Sequence, residues 1–177
     1  MAANGVTLGR LMNMRVLGLA VANGKLFYGV VESNSAEDGR AVEEAPTDLA
    51  PSEGGTDSAR LAEFQSRYRQ DLRSVAPTAV GLVATRRYAN WQYRHAFDRI
   101  SLVAAVMLAC ELEQMPFREI KTEDIARAVK LPAYQLETLA PSAAGLTGTP
   151  VGWRAGRAAA FACALTLLEE TAEREAS

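Results

Sequence analysis

The sequence predicts an α/β fold, a mixed sheet that opens with a β-hairpin, is flanked by helices and carries a long acidic loop insertion. Three observations predict it. Asn23-Gly24 separates two aliphatic, β-branched runs, Met14 to Ala22 and Lys25 to Glu32, and Asn-Gly favours the type I′ turn of a two-residue hairpin. Beyond the hairpin, apolar residues alternate between helical spacing and short continuous runs, the pattern of helices interleaved with strands. Between these parts, residues 34–57 are rich in Ser, Gly, Pro and acid. Such a segment is too polar to offset its ordering entropy, so it reads as a disordered insertion.

The later elements follow in order. Residues 59–75 place Leu61, Phe64, Tyr68, Leu72 and Val75 at helical spacing with arginines on the other face. Pro77 ends that helix, and "TAVGLVAT" is a short apolar run typical of a buried strand. A long apolar helix runs from about Ala96 to Gln114, "PFREIKT" gives a strand, and "TEDIARAVKL" a short helix with Thr122 as N-cap and acids in its first turn. "APSAAGLTGTPVG" is a loop by composition. The closing helix spans roughly Trp153 to Glu170, and its interior "AAAFACALTLL" must be packed. At 177 residues the chain is long enough to bury a core without staples. The organisation expected is a flexible segment over 1–13, one domain over 14–173 and a tail over 174–177.

Composition narrows the chemistry. The longest apolar run lies within "ISLVAAVMLAC", too short to span a bilayer, and reads as a buried helix with no membrane role. The start lacks the pattern of a secretory signal, so a cytoplasmic location is expected. Cys110 and Cys163 sit in alanine- and leucine-rich helical patterns and read as reduced, buried side chains. One histidine and no close cysteine pair leave almost no ligands for zinc. No metal and no cofactor are expected.

Charge is unevenly spread. From Glu32 to Ser58 there are eight acids against Arg40 alone, whereas Ala59 to Ile100 holds eight arginines against Glu63, Asp71 and Asp98. Within that basic stretch, "RRYANWQYRH" (86–95) combines three arginines, the only histidine and three aromatic rings with no acid. Arginines bind phosphate, and tyrosine and tryptophan offer faces on which unpaired bases stack. Arg67, Arg69 and Arg73 could extend this strip. Arg154 and Arg157, three residues apart near the start of the last helix, share a face where cations are disfavoured unless an anion sits on them. His95 has no serine, cysteine or acid that completes a catalytic arrangement, so it reads as a cap or surface group.

The "VLGLAVANGKLFYGVVE" hairpin, the helix-strand unit ending "AVGLVAT", the apolar helix after it, "EIKTEDIARAV" and the alanine-rich final helix resemble the ribonuclease H-like superfamily, in particular its RuvC-type resolvase branch. A small uncharacterised bacterial family of that fold has the same order of elements. The resemblance implies an RNase H-like mixed sheet over about 14–170 and, for the family, two-metal phosphodiester hydrolysis by clustered acids. Those acids fall in the first strand, near the end of the strand after the first helix, and at the start of the last helix. In this sequence the positions are Ala20, Thr85 or Arg86, and Arg154 with Arg157. None is an acid, and arginines repel a divalent cation rather than bind it.

The reading is therefore a catalytically degenerate RNase H/RuvC-like protein with no catalytic residues. It would bind nucleic acid of either type, or another polyanion, through Arg86, Arg87, Tyr88, Trp91, Arg94, Arg154 and Arg157. Two alternatives stay open. One is a protein-interaction scaffold or homodimer that uses the last helix or the acidic loop. The other is a metal-dependent nuclease whose acids have moved to Glu32, Asp98 and Glu111.

Overall fold

The computed structural model describes residues 13–33, 39–85 and 91–175. Strands β1 (Met14–Ala22) and β2 (Lys25–Ser33) form the hairpin, paired from Met14↔Ser33 to Ala22↔Lys25. Asn23 and Gly24 both take positive φ, 51° and 70°, the combination a type I′ turn requires. Two short strands follow, β3 (Arg40–Ala41) and β4 (Asp48–Leu49), and both pair with β2. Helix α1 (Asp57–Val75) leads to β5 (Ala79–Val83), parallel to β1. Helix α2 (Tyr93–Leu112) leads to β6 (Phe117–Ile120), parallel to β5. The order β3-β2-β1-β5-β6 makes a mixed, open sheet among the described residues.

Alternation along β1 assigns its two faces. Leu17, Leu19 and Val21 face one way and join Tyr28, Val80 and Leu82 under α1 and α2. Val16, Gly18 and Ala20 face the other way, towards α4 (Ala158–Glu175). Three glycines lie abreast on that face, since Gly18 pairs with Gly29 on one side and Gly81 on the other. A Cβ on Gly18 would run into the Ala160 carbonyl oxygen, and one on Gly29 would stand 2.5 Å from the Phe161 nitrogen. Gly18 and Gly29 let the backbone of α4 lie directly on the sheet, and the small residues Ala160 and Ala164 complete the approach.

Several expectations are revised. Residues 39–57 do not form a free loop. Leu49 is 3% exposed, Val42 and Ala45 pack against the core, and Tyr28 donates its N–H to the Thr47 carbonyl at 3.0 Å. Three spaced apolar residues suffice to cover the open edge of β2, despite the surrounding acids; residues 34–38 lie outside the described residues. Helix α3 spans Thr122–Ala128 with Lys121 as its N-cap, and Thr122 is buried rather than capping. Helix α2 begins at Tyr93, three residues before the expected start. The final helix is broken: Trp153–Arg157 form a π-helical turn that is non-helical at Gly156, and α4 proper starts at Ala158. Gly156 packs against the Phe27 ring, where no Cβ would fit. No described helix is long and apolar enough to cross a membrane.

Candidate nucleic-acid interface

The parallel strands β1 and β5 end side by side, and their carboxyl ends open into a depression of about 350 Å³. In open α/β sheets ligands bind outside the carboxyl ends of the strands. Ala20, Val83, Thr122 and Glu137 line it, and Arg99 and Arg154 supply its positive charge. Arg154 is exposed and makes no hydrogen bond or ion pair among the described residues. Arg99 reaches across the strand ends, donating from Nε to Thr85 Oγ1 at 3.2 Å and from Nη1 to the Val21 carbonyl. Glu137 is the single carboxylate that lines the depression among the described residues.

A second depression of about 380 Å³ adjoins the first and shares Val21, Ala22 and Arg99 with it. Its other wall carries Trp91, His95 and Asp98. The arginine thus lines both hollows.

The expected site residues separate into three groups. Arg86, Arg87 and Tyr88 lie outside the described residues. Trp91 and Arg154 line the strand-end hollows. Arg94 and Arg157 do not join them. Arg94 binds Asp57 in fork geometry at 2.9 and 3.0 Å and meets Asp98 at 3.1 Å. The Arg94 guanidinium holds the Asp57 carboxyl below its usual range. Arg157 follows the break at Gly156 and does not line the hollow that Arg154 lines. Arg157 lies 5.8 Å from the Phe161 ring centroid and donates to the Val151 carbonyl, while its Nε is buried without a hydrogen-bond partner. Burial pushes its pKa down.

The α1 arginines do not extend the strip. Arg69 and Arg73 both bind Glu113 at the far end of α2, at 2.7 and 2.8 Å, and together they lower its pKa to about 2. Arg67 turns to Glu63 and the Ala50 carbonyl. The alternative acids are equally dispersed. Glu32 is bound by Arg15, which lies five residues along β1 from Ala20, about 16 Å at the strand rise. Asp98 and Glu111 sit thirteen residues apart on α2, about 20 Å along its axis.

Arg99 escaped the sequence reading, although a signal existed. It precedes Leu102 and Val103 by three and four residues, so the helical period that buries those residues also brings Arg99 to the inner side of α2. Tyr134 and Glu137 came from a stretch without periodicity, and only the folded chain brings them to the strand ends.

No protein-family model matches the sequence, and no curated protein does. Solved structures do match. RuvC from Thermus thermophilus in complex with a Holliday junction substrate superposes with a TM-score of 0.71 at 21% identity, covering 89% of this chain and 95% of that one. A further Thermus thermophilus RuvC structure gives 0.72 at 20% identity over 89% and 96%. The fold is RNase H-like and RuvC-type. The yeast mitochondrial Holliday junction resolvase follows at 0.54 and 10% identity, covering 92% and 81%.

A RuvC-type fold implies a divalent-metal site at the strand ends. The donor set does not fit one. Magnesium and its relatives need hard, anionic oxygen ligands, whereas Ala20, Val83, Arg99 and Arg154 offer none, and Glu137 is the one carboxylate among the described lining residues. Among the described residues no group of three His, Cys, Asp or Glu is arranged to hold a metal ion.

Proposed function

We propose that this chain is a catalytically degenerate RuvC-like protein that binds nucleic acid through an arginine and aromatic edge at the strand ends. The observation that carries the reading is the pairing of Arg99 and Arg154 over Ala20, a positive hollow where the fold family would gather carboxylates. Both guanidiniums suit phosphate, which they bind through forked N–H donors. Arg86, Arg87 and Tyr88 belong to the same proposed edge by their place in the chain, between β5 and Trp91. Arg94 joins only by exchanging Asp57 for a phosphate, an exposed pair of the kind that contributes little to stability. Arg157 serves the packing of Phe161 and is the weakest member of the set. The Thermus thermophilus protein was solved with a Holliday junction substrate; what we carry over is a nucleic-acid partner, without a preferred junction.

A salt titration on single-stranded, duplex and branched DNA and on RNA tests this. The expected result is a linear fall of log affinity with log salt, of slope about −0.7 to −0.9 per phosphate contacted. Arg154→Glu should abolish most of the affinity at every salt concentration. Absence of binding at low salt would defeat the reading.

One observation favours self-association as a second role. The scaffold reading looked to the last helix, but Ala160, Phe161, Ala162, Cys163 and Ala164 of α4 are buried. The exposed apolar surface lies on α2 instead, where Tyr93, Phe97, Ile100, Met107, Leu108 and Leu112 are all exposed. Steps of four and three residues through Tyr93, Phe97, Ile100, Ala104 and Met107 form the stripe that packs against another helix. Multi-angle light scattering should give twice the chain mass, reduced to one chain by Ile100→Glu. A monomer at tens of micromolar would exclude this role.

A further inference from the structure

We propose that the two adjoining hollows seat two consecutive unpaired nucleotides, with Arg99 holding the phosphodiester between them. The inference rests on the nucleic-acid reading above and adds the state of the strand and the number of nucleotides gripped. Arg99 is the charged side chain common to both: the hollows share Val21, Ala22 and this residue in their linings. Its bonds to the Val21 carbonyl and the Thr85 hydroxyl hold the guanidinium in place where it lines both. A charge held in place costs little further ordering when a phosphate arrives.

Each hollow has one aromatic wall. Tyr134 stands at the Ala20 side, 65% exposed, with its hydroxyl donating to Glu123 at 3.2 Å. Trp91 stands at the other side, half-buried. An aromatic face on either side of a central arginine is the arrangement that stacks successive bases of a single strand along its phosphates. Arg154 adds charge only in the Ala20 hollow, where it meets the next phosphate along the strand. Glu137 in the same hollow rejects a phosphate and accepts N–H donors from a base edge, so it orients the nucleotide with its base inward. A duplex enters only by unstacking its neighbouring bases, a cost that an unpaired strand does not bear.

Fluorescence anisotropy with a short labelled oligodeoxyadenylate tests the proposal on the full chain. Trp91→Ala and Tyr134→Ala should each weaken binding about tenfold, with multiplied losses in the double variant. An abasic oligomer of the same length should bind the parent and both variants alike, which separates lost stacking from a damaged fold. Binding by both variants equal to the parent, while Arg154→Glu still loses the oligomer, would overturn the two-nucleotide seat and leave the nucleic-acid reading standing. No binding of any nucleic acid by the parent at low salt would overturn both.

Discussion

Arg99 joins the carboxyl ends of β1 and β5 through the Val21 carbonyl and Thr85 Oγ1, so one guanidinium both ties the sheet and charges its edge. Lysine keeps the charge but loses the planar fork that reaches two acceptors. Arg99→Lys should therefore cost about 1–2 kcal/mol in urea unfolding, the scale of a lost charged hydrogen bond, with a larger proportional loss in phosphate affinity. Ala20 permits a complementary check. Ala20→Asp places a carboxylate beneath Arg99 and Arg154, where it pairs with them instead of recruiting a metal. The expected outcome is weaker nucleic-acid binding and no magnesium-stimulated cleavage on a labelled strand; cleavage would mean that one acid restores a metal site. At this scale the sequence was informative about Ala20 and Arg154, whose places follow from the order of elements. It was misleading about Arg157, because nothing in "WRAGR" announces that the chain leaves helical geometry at Gly156, before the second arginine.

The elements are held by contacts of two kinds. On one side of the sheet, Gly18 and Gly29 receive α4 at backbone distance, and Gly81 beside them meets the Cys163 and Leu167 side chains. Gly18→Val would drive a branched side chain into Ala160 and Ala164, so a destabilisation of about 3 kcal/mol or more is expected in chemical denaturation, at the upper end of overpacking costs. On the other side, α1 and α2 run in the same direction, pinned at one end by Asp57 and Arg94 and at the other by Glu113 with Arg69 and Arg73. The Glu113 carboxyl titrates near 2 when folded, below its unfolded range of about 4.3. Its pairing therefore contributes fully above about pH 5 and is lost as pH falls towards about 2. Glu113→Gln should flatten the dependence of stability on pH in that window; unchanged slopes would show the pairs to be inconsequential. The hairpin was legible from Asn23-Gly24 because a two-residue turn fixes its own register. The glycine row was not, since it depends on how β5 aligns beside β1. Strands β3 and β4, two residues each, are too short to show a period, and the acids around them suggested a free loop.

Taken whole, the chain has a RuvC-type layout with Arg99 and Arg154 lining the hollow at its strand ends. The acids of 39–57 do not sit in the strand-end hollows: Asp48 meets Lys25, and Asp57 meets Arg94 and Arg60. The weakly acidic total of −2 thus coexists with a basic strand edge. Fold was readable because the alternation of hairpin, helix and strand constrains topology strongly. The content of the central hollow was readable only in part, since Tyr134 and Glu137 arrive from a segment without periodicity. The most direct measurement of the central claim is the affinity of a single-stranded oligonucleotide across a range of salt, in EDTA and in magnesium, for the parent chain and Arg154→Glu. The account predicts a steep salt dependence that is the same in both buffers, intact strands throughout, and near-complete loss of binding in the variant. Strand cleavage that requires magnesium, or binding indifferent to both salt and Arg154, would contradict it.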